Sequence, residues 1–93
     1  MNEITGKTTT GFEYSYDKRV LTDWDYISLL RKMMSENSSN EEKLDATQRI
    51  FYVLLGTEQT EKLVQHVKGY NDGFAPIEAL VSEFKEIIEP KNL

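Results

Sequence analysis

The sequence predicts an α+β fold, mainly α: an N-terminal β-hairpin over residues 1–17, a compact bundle of about four helices over 22–89, and a tail at 90–93. Three observations predict it. Phe12, Tyr14 and Tyr16 alternate with Glu13 and Ser15, the period of two that sends alternate side chains to one face of a strand. Ile77, Leu80, Val81, Phe84, Ile87 and Ile88 follow the i, i+3, i+4, i+7 spacing of a helix with one apolar face. Between them, Gly56-Thr57 and the stretch from Gly69 to Gly73 punctuate an otherwise helical pattern. The 93 residues make one domain and leave no room for a second core. A chain this short hides only about 60–65% of its unfolded surface, so the core is thin.

Ile4 to Thr10 is rich in threonine, whose branched side chain suits an extended backbone, and Thr10-Gly11 is the expected turn into the aromatic strand. A lone hairpin is marginal in water, so its aromatic face must lie on something. The first helix is expected to begin near Thr22 or Asp23, either of which can cap it, with Asp23 and Asp25 near the positive end of its dipole. Trp24, Ile27, Leu30, Met33 and Met34 recur at helical spacing, and Arg31 and Lys32 fall in the last turn. Ser35 to Asn40 is polar and turn-prone, a break between helices and the best candidate for a mobile loop.

A second helix should cover about Glu41 to Leu55. Leu44, Ile50, Phe51, Leu54 and Leu55 fall on one arc, and Ala46, Tyr52 and Val53 widen it, as suits a central helix. Gly56 reads as its C-cap and Thr57 as the cap of a short third helix, Glu58 to about Lys68, with Leu63, Val64 and Val67 as its buried stripe. Pro76 suits the first position of a fourth helix, where no amide donor is missed, and Pro90 ends it. Glu78, Glu83, Glu86 and Glu89 are assigned to the side opposite its apolar arc. There is no internal repeat.

Charge and composition exclude several functions. The formal charge is −5, and residues 1–35 carry five acids and five bases, so the whole excess lies in 36–93. An acidic domain gains no counterion-release affinity, and neither nucleic acid nor a membrane surface is an expected partner. No apolar run approaches the roughly 20 residues of a membrane span, and Met1-Asn2-Glu3 lacks the basic start of a signal peptide. There is no cysteine, which removes disulfides and thiolate metal sites and suits a reducing cytoplasm.

Catalytic patterns find no support. His66 is the only histidine, so a zinc site would have to be completed by carboxylates alone, and its expected place is half-exposed beside Leu63 and Val67. Asp23 and Asp25 lie two apart and point in different directions on a helix, which is wrong for a shared proton. Gly69 and Gly73 flank a turn rather than joining a strand to a helix, so no phosphate loop forms. The serines have no histidine at a nucleophile's motif spacing. No catalytic, cofactor-binding or metal-binding residue is assigned, and the chain is expected not to be an enzyme.

What is left is contact with other proteins. The carboxylates of the last helix read first as a solubilising face and second as a means of steering a basic partner. The Phe12/Tyr14/Tyr16 row reads first as core and second as a strand edge open to a partner. Met33 and Met34 read first as core filling and second as a soft contact surface. The partner-binding residues assigned on this basis are Tyr14, Tyr16, Glu83, Glu86, Ile87 and Ile88. An open hairpin edge would also allow dimers or rings.

The order of elements carries a resemblance. A short hairpin with an aromatic second strand leads to Asp23-Trp24, a helix, a polar break, and a helix ending Leu54-Leu55-Gly56. Glu58-Gln59 follows, then a short helix with Leu63 and His66, a turn Gly73-Phe74-Ala75-Pro76, and a last amphipathic helix. Over most of residues 8–92 this resembles the tail assembly chaperones encoded by phages and prophages of Gram-positive bacteria. Each motif is weakly specific, and their order carries the likeness. Ser35–Asp45 departs from it, since the family often has a shorter connection there with Gly, Asp or Pro.

The resemblance implies a non-enzymatic protein of the host cytoplasm, absent from the mature virion. Its implied partners are the tape measure protein and the tail tube protein. It also implies a longer form made by ribosomal frameshifting, and Pro90-Lys91-Asn92 can be encoded CCA AAA AAC, which contains a slippery heptamer. Leu93 would then end the short form. The rival expectation is a small acidic regulatory or inhibitory protein of a prophage or mobile element that binds a host protein.

Overall fold

The computed structural model describes residues 2–89. Pro90 as a helix stop and the Lys91-Asn92 frameshift signal lie outside the described residues. The chain opens with β1 (Glu3–Lys7) and β2 (Glu13–Asp17), paired antiparallel with Thr5 opposite Ser15. The turn between them is closed by Gly11 N–H donating to Thr8 O at 2.9 Å and by Thr8 N–H donating to Phe12 O at 2.9 Å. Gly11 takes φ +97°, a backbone angle that favours glycine. Phe12, Tyr14 and Tyr16 are all buried, as their alternation predicts, and the hairpin's aromatic face rests on the helices.

Asp17 ends the hairpin and starts a 3₁₀ turn, Lys18–Thr22. Its carboxylate accepts from Arg19 N–H at 2.9 Å and from the Arg19 guanidinium at 2.6 Å. These side-chain and backbone hydrogen bonds hold the Asp17 pKa down at about 2. Asp23 then caps α1 (Trp24–Met34) by accepting from Asp25 N–H at 3.0 Å.

α2 (Asn40–Tyr70) begins with a reciprocal capping box, formed by Ser39 and Glu42 three residues on. Ser39 Oγ accepts from Glu42 N–H at 3.1 Å, while Glu42 Oε1 accepts from Ser39 N–H at 2.8 Å. The backbone leaves helical angles at Gly56 (φ +82°, ψ 168°), where the second and third helices are expected to meet, so α2 is two helical stretches joined at a kink and, among the described residues, three helical elements stand where about four are expected. Two side chains beyond the bend take up carbonyls freed before it. Thr60 Oγ1 donates to Phe51 O at 3.0 Å and Gln59 Nε2 donates to Leu55 O at 3.0 Å. The Asn71–Gly73 turn leads to α3 (Ile77–Ile88), where Pro76 is the N-cap rather than the first helical residue.

The core gathers around Ile50, Phe51, Leu54, Leu63, Phe84 and Ile87, with Phe51 and Phe84 edge to face at 5.6 Å. Among the described residues four apolar positions depart from expectation: Trp24 is 83% exposed, Met34 74%, Leu44 47% and Tyr52 45%. On α1 the buried face centres on Tyr26, and at 100° per residue Trp24 lies about 160° round the helix from it. Among the described residues no helix is long and apolar enough to cross a membrane.

Candidate functional site

The hairpin turn is fastened to α3 and the end of α2 by a polar seam. Thr9 donates twice to Glu86, from N–H to Oε1 at 2.8 Å and from Oγ1 to Oε2 at 2.9 Å. Glu83 Oε2 accepts from Thr10 Oγ1 at 2.5 Å and from Tyr70 OH at 2.8 Å. Thr10 Oγ1 also lies 3.0 Å from His66 Nε2. A hydroxyl has one proton, and here Glu83 receives it, so His66 must be the donor in its own contact with Thr10. A nucleophile needs the reverse order, with histidine accepting the hydroxyl proton and the carboxylate behind the ring. This seam tethers elements and does not activate Thr10. Desolvation and the hydrogen bond to Glu83 push the Tyr70 pKa up to about 12.

Of the sequence-assigned partner residues, Glu83 and Glu86 belong to this seam, while Tyr14, Tyr16 and Ile87 lie in the apolar core. Tyr14 and Tyr16 are buried, and Tyr16 OH donates to Ile87 O at 3.2 Å. Glu83 and Ile87 are each 1% exposed; Glu86 and Ile88 are half-buried. The placement of Glu83 opposite the apolar arc of the last helix is therefore corrected. At 100° per residue Glu83 sits about 40° from Ile87, on the shoulder of the arc, where the hairpin covers it. That shoulder position was the available signal. Thr9, Thr10 and Tyr70 gave none, because their partners lie far away in sequence. His66 is half-buried as expected, against Phe12 and Tyr70 with each ring pair 5.6 Å apart.

Open apolar surface occurs elsewhere, on both sides of Tyr52. One groove of about 350 Å³ fills the elbow of α2 against the start of α3, lined by Thr47, Phe51, Leu63, Ile77 and Leu80. A shallower groove of about 430 Å³ runs between α1 and α2, lined by Leu29, Val53, Asp25 and Arg49. Tyr52 borders both and is 45% exposed. The bend at Gly56 creates the first groove by turning the second half of α2 away from the line of the first. Among the described residues, no three His, Cys, Asp or Glu side chains converge to hold a metal ion.

Comparison with protein-family models, with curated proteins and with solved structures gives no match. The chemistry of the grooves is therefore the firmest guide to function. They offer apolar shape, a tyrosine ridge and a few polar groups at the margin.

Proposed function

We propose that this protein is a non-enzymatic phage tail assembly chaperone, which binds the tape measure protein and tail tube subunits in the host cytoplasm and is left out of the virion. The observation that carries the reading is the pair of grooves divided by Tyr52. An amphipathic helical segment can lay its apolar face into such a groove, with Tyr52 packing along its flank. The order of motifs from the aromatic strand to the last amphipathic helix supports the same reading.

A long and partly apolar tape measure chain aggregates readily before a tube surrounds it. Many small domains bound along it cover that surface, and a charge of −5 on each keeps neighbouring complexes apart. Each contact is weak because the groove is small, so tube subunits can displace the chaperone while multiplicity maintains occupancy. The rival reading, an acidic inhibitor, is disfavoured by Glu83 and Glu86, whose carboxylates bond to the hairpin instead of facing a partner.

Co-expression tests the proposal. The protein should keep the tape measure protein soluble and be recovered with it, and Tyr52→Ala should lose both effects while remaining folded. Equal insolubility of the tape measure protein with and without this chain would refute it.

A further inference from the structure

The two outer edges of the hairpin differ. On β2, Ser15 N–H donates to Gln59 Oε1 at 2.9 Å and Ser15 O accepts from Gln59 Nε2 at 2.6 Å, so α2 occupies that edge. Both Ser15 backbone groups therefore point away from β1. Thr5 lies opposite Ser15, so its own N–H and C=O must point outward on the other side. Glu3 and Lys7 share that parity. The intervening positions bond inward, as the flanking bonds from Lys18 N–H to Asn2 O and from Thr8 N–H to Phe12 O require. Among the described residues β1 pairs with β2 alone, which leaves a ready edge of outward donors and acceptors at Glu3, Thr5 and Lys7.

We propose that this edge binds a second copy of the chain, β1 against β1, antiparallel and centred on Thr5, giving a four-stranded sheet ordered β2-β1-β1-β2. Charge complementarity selects the occupant and the direction. In this register Thr5 faces Thr5, Glu3 faces Lys7 of the second copy, and Lys7 faces its Glu3. All three facing pairs are ones in which both residues have outward backbone groups, so each exchanges two hydrogen bonds. Opposite charges and paired threonines are favourable cross-strand neighbours. The two-fold axis makes the contact self-complementary and closed.

Among the described residues Glu3 has no such cross-strand neighbour. It faces Asp17 across the hairpin, a like charge, and Asp17 is already held by Arg19. Lys7 reaches Glu13 only at 3.8 Å, with both side chains largely exposed. Parallel pairing would instead set Glu3 against Glu3 and Lys7 against Lys7. An edge lysine ordinarily repels foreign strands. Here it becomes the complement to one particular strand, the chain's own.

Sedimentation velocity on the purified chain, from about ten micromolar to about one millimolar, tests this directly. The wild type should pass from monomer to dimer across that range. Glu3→Lys and Lys7→Glu should each weaken self-association by about tenfold or more, because both symmetric pairs become repulsive. Mixing the two variants should restore dimerisation, since the lysines at positions 3 and 7 of one then face the glutamates at positions 7 and 3 of the other. Thr5→Pro is the second probe. It removes an outward N–H and no bond within the hairpin, so it should give a folded monomer by circular dichroism. A wild type that stays monomeric at the highest concentration overturns the proposal. So do single charge variants that dimerise like the wild type, or a mixture that fails to recover.

Discussion

Gln59 holds Ser15 by both of its backbone groups, with Ser15 N–H donating to Oε1 at 2.9 Å and Gln59 Nε2 donating to Ser15 O at 2.6 Å. One amide side chain thus acts as a short substitute strand along β2 and ties the hairpin to the part of α2 beyond the bend. The same Nε2 donates to Leu55 O at 3.0 Å, so it also closes the end of the helix before the bend. Gln59→Ala leaves three partly buried backbone groups without their partner. It should lower stability by about 1–3 kcal/mol. Urea unfolding measures this as a lower midpoint with an unchanged slope.

Gly56 makes a separate prediction. Its φ of +82° with ψ of 168° belongs to a region that only glycine occupies easily. A Cβ placed there meets nothing within 4 Å, so Gly56→Ala has no steric clash to confuse the result. The loss should be about 1–3 kcal/mol, arising from backbone strain alone. Thermal or urea unfolding checks it, and a loss near zero would mean that the bend relaxes into a continuous helix.

Tyr70 links the polar seam to alkaline stability. Its pKa rises from 10.0 to about 12, through desolvation first and then the hydrogen bond to Glu83. A raised folded-state pKa means that the fold favours the neutral phenol. That contribution is fully present below about pH 10 and is lost as pH climbs through about 12. Ultraviolet absorbance titration should therefore show a late phenolate step that Tyr70→Phe diminishes, with the buried Tyr26 phenol, also raised, still titrating late. Glu83→Gln should move the step towards the ordinary value of 10.0, because the carboxylate charge that opposes the phenolate is gone.

The parts of this fold that were legible in the sequence are those set by local chemistry. The Phe12/Tyr14/Tyr16 alternation placed the aromatic face, and Thr22-Asp23 marked the start of α1, where Asp23 is the cap. Gly56 marked the bend, but a break in backbone angles does not tell whether hydrogen bonding runs on through it. Here the helix does break at Gly56, and Thr60 and Gln59 bridge the break with side-chain bonds to carbonyls before it. The pairing of Thr9 with Glu86, 77 residues away, has no periodic signature and could not be read in advance. Trp24 misled because apolar spacing identifies a face only relative to a centre, and the centre proved to be Tyr26. The Tyr52 grooves were illegible for a related reason, since a groove is the absence of packing between elements whose angle the sequence did not specify.

Binding of purified tape measure protein fragments, followed by titration calorimetry against the wild type and Tyr52→Ala, tests the central claim most directly. A fragment with an amphipathic helix should bind the wild type reversibly, and Tyr52→Ala should weaken that binding by about tenfold or more, as expected for truncating a central aromatic anchor. Wild type that binds no fragment, or a variant that binds as tightly as the wild type, would contradict it.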